Sequence, residues 1–70
     1  MDDTELLKLQ KYMNDLFGTR GIRVKKGRTT GAAEVEMKDE FIGTIYRDED
    51  EGEVSYSFTM SILDIDLGAE

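Results

Sequence analysis

Apolar positions along this chain change their period once, from helical to strand spacing. Leu6, Leu9, Met13, Leu16 and Phe17 fall on one helical stripe, with Tyr12 on its border and Lys8, Lys11, Asn14 and Asp15 mostly on the other side. The pattern predicts a helix over residues 4–17. Asp2 or Asp3 can cap its N-terminus, where negative charge suits the helix dipole, and Gly18 stands at the position that favours a left-handed C′ residue.

Beyond Gly21 the spacing becomes two. Ile22 and Val24 alternate with Arg23 and Lys25, and Gly27 to Gly31 forms a loop bounded by glycines. Ala33, Val35 and Met37 alternate with Glu34, Glu36 and Lys38 as a half-buried second strand. A third strand is expected from Phe41 to Arg47, followed by an acidic hairpin loop from Asp48 to Gly52. Val54, Tyr56, Phe58, Met60 and Ile62 then alternate with Ser55, Ser57, Thr59 and Ser61 as a fourth. Residues 61–68 admit two readings. Leu63, Ile65 and Leu67 lie on the opposite parity, which requires either a bulged strand or a short helical turn. Neither hairpin loop carries an Asn-Gly or Asp-Gly pair, so the registers stay open.

The expected fold is α+β, a single domain over 1–70. One N-terminal helix packs on an antiparallel sheet of roughly three to five strands. A domain of 70 residues buries only about 60% of the surface its unfolded chain exposes. Most of the aromatic set (Tyr12, Phe17, Phe41, Tyr46, Tyr56 and Phe58) is expected in the core, since a sheet face and a helix stripe need filling. Because strand neighbours alternate, part of the third strand must face away from the helix. One register places Ile42, Thr44 and Tyr46 on an outer sheet face, a candidate protein interface.

Composition narrows the chemistry. The chain has no cysteine and no histidine, which removes disulfides, thiolate ligands and the commonest general base. Its net charge of −7 disfavours nonspecific binding to nucleic acid or anionic membranes. No apolar run approaches the roughly 18 residues of a membrane helix, and the acidic start differs from a signal peptide. These features point to a cytoplasmic protein without a cofactor. Asp48, Asp50 and Glu53 offer oxygen ligands, but their spacing departs from a calcium loop: from Asp48, glycine arrives one position early and a threonine stands where the bidentate Glu belongs. Asp64 and Asp66 would share a solvent face, with no pocket to shift their pKa values. No catalytic residue is expected.

The basic segment 20–28 holds five of the nine basic residues. Arg23, Lys25, Lys26 and Arg28, beside Gly27 and Gly31, are candidate contacts for RNA or another anion. Against that stand the acidic whole and the lack of an interleaved aromatic.

One further signal is a resemblance. The stretch Asp39-Glu40-Phe41-Ile42-Gly43-Thr44-Ile45-Tyr46-Arg47-Asp48 carries it first. It continues through Glu51-Gly52-Glu53 and Ser55-Tyr56 to Ile62-Leu63-Asp64-Ile65-Asp66-Leu67, and Leu16-Phe17-Gly18 and Ala33-Glu34-Val35 fit as well. The chain resembles the short alphaproteobacterial proteins classed as domain of unknown function 3126. That resemblance implies a stand-alone cytoplasmic bacterial protein and carries no activity, cofactor or site residue. The leading expectation is a non-enzymatic protein-interaction module, an adaptor or accessory subunit with a protein partner; a homodimer built by pairing edge strands is a third option compatible with either function. The alternative is an RNA- or anion-binding protein using segment 20–28.

Overall fold

The computed structural model describes residues 1–68. Helix α1 spans Asp3–Phe17 and is followed by strands β1 (Ile22–Lys26), β2 (Ala32–Met37), β3 (Glu40–Asp50) and β4 (Glu53–Thr59). A short 3-10 turn, η1, covers Asp64–Leu67. The four strands form one antiparallel meander in the order β1-β2-β3-β4. This is the expected α+β arrangement.

Local chemistry starts and stops the helix as anticipated. The Asp2 carboxylate accepts from the Glu5 N–H at 2.8 Å, and Glu5 reaches back to the Asp2 N–H, a reciprocal capping box. Gly18 closes the helix at φ 68°, a conformation that costs glycine nothing. The buried core is Leu6 and Met13 from α1 against Ile22, Val24, Ala33, Val35 and Ile45 from the sheet, with Val35 and Ile45 fully enclosed.

The β2–β3 and β3–β4 hairpins each close on two residues. Lys38 and Asp39 sit at φ 56° and 63°, and Glu51 and Gly52 at φ 51° and 83°. Two consecutive positive φ values are the signature of a type I′ turn, whose twist matches that of the strands it joins. The expected five-residue acidic loop is therefore corrected: β3 runs on through Asp50, and only Glu51 and Gly52 turn. Three of these four residues are not glycine, so composition hid the turn type.

Two other expectations are revised. β4 ends at Thr59 rather than Ile62, and the helical reading of the C-terminal segment is the one adopted, as η1. The aromatic residues are not core: all six are more than a third exposed, from Phe58 to Tyr12. For the four on the helix side, Tyr12, Phe17, Tyr56 and Phe58, the cause is where the helix lies. It packs closest to β1, so its buried face covers β1, β2 and the centre of β3, while β4 extends beyond it.

Gln10 and Asn14 hold the helix there. One helical turn apart, they face the outer edge of β1. The Asn14 side chain accepts from the Ile22 N–H at 2.9 Å and donates to the Ile22 carbonyl at 3.0 Å. The Gln10 oxygen accepts from the Val24 N–H at 3.0 Å. Two side chains thus take the place of a neighbouring strand and block an edge that would otherwise be free to pair. Asn14 belongs to this contact, not to the solvent face its spacing suggested.

Candidate protein-interaction surface

The surface is large for the chain's size. A compact monomer of this mass exposes about 4,450 Å², whereas this chain of 8.0 kDa exposes 5620 Å². Its radius of gyration is 13.2 Å, against about 11 Å for a compact chain of this length. The excess, on the order of 1,200 Å², goes with an elongated shape of 47 × 23 × 21 Å.

Exposed apolar side chains collect beside the helix. Register fixes the faces: Ile45 pairs with Phe58, Arg47 with Tyr56 and Glu49 with Val54, so Val54, Tyr56 and Phe58 share the helix-side face of the sheet. Tyr56 and Phe58 meet Leu9, Tyr12, Met13, Leu16, Phe17 and Ile45 in an apolar trough between α1 and β4. Leu16 and Phe17 were expected to fill the core, yet they are 61% and 56% exposed on its rim. The trough holds about 130 Å³, less than the roughly 300–1,000 Å³ of pockets for drug-sized ligands. It suits an inserted side chain. Met60, Ile62, Leu63, Ile65 and Leu67, beyond β4, add further exposed apolar surface.

A glycine fits β4 against β3. A Cβ on Gly43 would stand 2.5 Å from the Thr59 carbonyl oxygen and 2.6 Å from the Phe58 ring. The ring therefore lies over Gly43, packing against backbone where a side chain would lift it away.

One polar cluster ties β4 to the helix. The Tyr56 hydroxyl donates to Glu5 Oε2 at 2.6 Å, and Arg47 Nε donates to the same oxygen at 3.1 Å. The Tyr56 hydrogen bond is the main reason the Glu5 carboxyl lies below its usual range, with help from the Asp2 N–H and the Arg47 charge against partial desolvation. The same bond pushes the Tyr56 phenol up. Glu5 thus serves both the helix cap and the β4 anchor. Nothing in the sequence pattern paired it with a tyrosine 51 positions away.

The expected outer-face trio is divided. Thr44 and Tyr46 lie on the face away from the helix, paired with Glu34 and Ala32. Ile42 does not join them. The β2–β3 register shifts between Val35 and Glu36, so Gly43 faces Val35 while Phe41 faces Glu36. Ile42 is the extra, bulged residue, and it packs half-buried against the core. Phe41 takes the outer position instead. A shallow concavity of about 420 Å³ lies here, lined among others by Phe41, Thr44, Tyr46, Arg28 and Glu34.

The basic segment is also split. Arg23 and Lys25 lie on the outer face opposite Glu36 and Glu34, and Lys25 pairs with Glu36 at 2.8 Å. Lys26 has the other parity and approaches Asp3 of the helix at 3.7 Å. Arg28 is in the loop, where the Gly27 N–H donates to the Ala32 carbonyl at 3.0 Å. A Cβ on Gly27 would come within 2.8 Å of that oxygen, so this glycine serves the loop's own close approach. The four cations do not converge on one face. Among the described residues no group of three or more acidic side chains could hold a metal ion, and no helix is long and apolar enough to cross a membrane.

A family model described as "Protein of unknown function (DUF3126)" matches residues 5–66. The matched span runs from Glu5 of the β4 anchor to Asp66 of η1 and so takes in every strand. No curated protein and no solved structure matches the chain.

Proposed function

The chain belongs to the DUF3126 family, and we propose that it works as a non-enzymatic protein-interaction module, an adaptor or accessory subunit of a bacterial cytoplasmic complex. The observation that carries this reading is the apolar surface left open between α1 and β4. Leu16, Phe17, Tyr56 and Phe58, all more than a third exposed, line it. Half of its lining residues are aromatic, and Tyr12 and Tyr56 belong to a residue type enriched at binding hot spots. The acidic hairpin tip, remote from the trough, is suited to orienting a partner by charge. RNA or anion binding draws less support, because Arg23, Lys25, Lys26 and Arg28 are spread over two faces and a loop, and two of them already meet carboxylates.

Capture of partners by the tagged chain from native lysate, with and without nuclease, tests the proposal. The expected result is one protein recovered in both halves. It should be lost from Leu16→Lys/Phe17→Lys while the far-ultraviolet spectrum of that variant stays native. Tyr46→Lys, on the outer face, should keep it. Undiminished capture by the trough variant would refute the reading, and recovery that depends on intact nucleic acid would favour the basic segment instead.

A further inference from the structure

We propose that β4 is the seam of a two-fold homodimer, in which residues 53–59 of two copies pair antiparallel about Tyr56 and merge two sheets into one. The inference rests on the interaction-module reading only in using the same uncovered region. Its own basis is the backbone.

A two-residue hairpin closes on a hydrogen-bonded pair, here Asp50 and Glu53, and such pairs then alternate along the ladder. Glu53, Ser55, Ser57 and Thr59 therefore direct their N–H and C=O groups at β3. Those of Val54, Tyr56 and Phe58 point outward from the sheet. On the opposite edge Gln10 and Asn14 already take the Ile22 N–H and C=O and the Val24 N–H, so β4 is the more open one.

The seven residues of β4 have their midpoint at Tyr56. A two-fold axis there sets Tyr56 against its own copy and Val54 against the other copy's Phe58. All three outward-facing positions then find partners in about six backbone hydrogen bonds. Polarity is preserved across the seam: Val54 meets Phe58 and Tyr56 meets Tyr56 on the helix side, and Ser55 meets Ser57 on the other. Glu53 falls opposite Thr59, so no like charges are apposed. The two acidic tips point in opposite directions, each roughly 14 Å from the axis at about 3.4 Å per residue. Their separation exceeds the Debye length of about 8 Å at physiological salt. An axis at Val54 would bring the tips together and leave Phe58 unpaired. Pairing about a two-fold axis uses the same edge of both copies, so the assembly closes at two rather than growing into a fibre.

The chain has no native cysteine, so single-cysteine oxidation reads the register directly. At the axis, Tyr56→Cys brings two Cα atoms to about 5.5 Å, within disulfide reach, while Val54→Cys leaves its two copies roughly 14 Å apart. Efficient cross-linking at 56 and none at 54 is expected. Tyr56→Cys also removes the hydroxyl held by Glu5, so Ser55→Cys/Ser57→Cys, on the opposite face, provides a second cross-link that leaves that anchor intact. Sedimentation equilibrium of the wild type should show a dimer. Val54→Pro, which deletes one outward N–H and leaves the β3 ladder whole, should raise its dissociation constant by about tenfold or more. A wild type that is monomeric throughout, or equal cross-linking at 54 and 56, overturns the proposal. A monomer that still captures its partner through Leu16 and Phe17 would do so while leaving the interaction reading standing.

Discussion

Replacing Asn14 with alanine tests how the helix is held on the sheet. The substitution removes the acceptor for the Ile22 N–H and the donor to the Ile22 carbonyl. Ile22 is itself buried, so water reaches these groups poorly. Each loss costs about 1–1.5 kcal/mol. Alanine's better helix propensity returns about 0.5 kcal/mol. The net loss is about 2 kcal/mol, a large part of the roughly 5 kcal/mol expected of so small a domain. With a urea dependence of about 1 kcal/mol per M, the unfolding midpoint should fall by about 2 M. The assay is urea unfolding followed by circular dichroism at fixed protein concentration, with Lys8→Ala on the exposed helix face as control. Amide exchange adds a local readout: the Ile22 N–H should lose protection while the Val24 N–H, held by Gln10, keeps most of its own. A midpoint shift no larger than that of the control would refute the edge-blocking account.

Other expectations follow from single features. Lys38→Asn with Asp39→Gly places the favoured type I′ pair where φ is already positive, and should raise stability by about 1 kcal/mol in thermal unfolding. Gly43→Ala should cost about 2 kcal/mol. Adding Phe58→Ala should not restore the loss, because the Thr59 carbonyl still blocks the Cβ. The Glu5–Tyr56 bond predicts two pH limbs. The folded Glu5 pKa is depressed, so its stabilisation is present above the unfolded value, about 4.3, and is lost as pH falls through the lower folded value. The folded Tyr56 pKa is raised, so its share is present below about 10 and is lost as pH climbs through the folded value. Tyr56→Phe should flatten both limbs of a stability–pH curve, and an unchanged curve would remove the bond from the account.

Periodicity carried much of this fold into view. The helix, its acidic cap, Gly18 and the strand alternation all rest on contacts within a few residues, and local chemistry enforces them. The C-terminal segment shows the limit of that reasoning, since five alternating residues fit either a bulged strand or η1, and the choice fell to the helical turn.

What periodicity cannot supply is distance across the chain. The bulge at Ile42 exchanges it with Phe41 between faces, because one extra residue inverts every side chain beyond it. The meander order and the position of α1 beside β1 leave β4 uncovered and Tyr12, Phe17, Tyr56 and Phe58 outside the core. Gln10 and Asn14 read as ordinary polar helix positions until a strand edge stands beside them. The charged segment 20–28 reads as one basic site until pleating sends its side chains to opposite faces. The sequence by itself determined the elements and their polarity, through interactions short enough to be coded locally. Only the tertiary structure decided which faces and edges stay open, because that depends on which element packs on which.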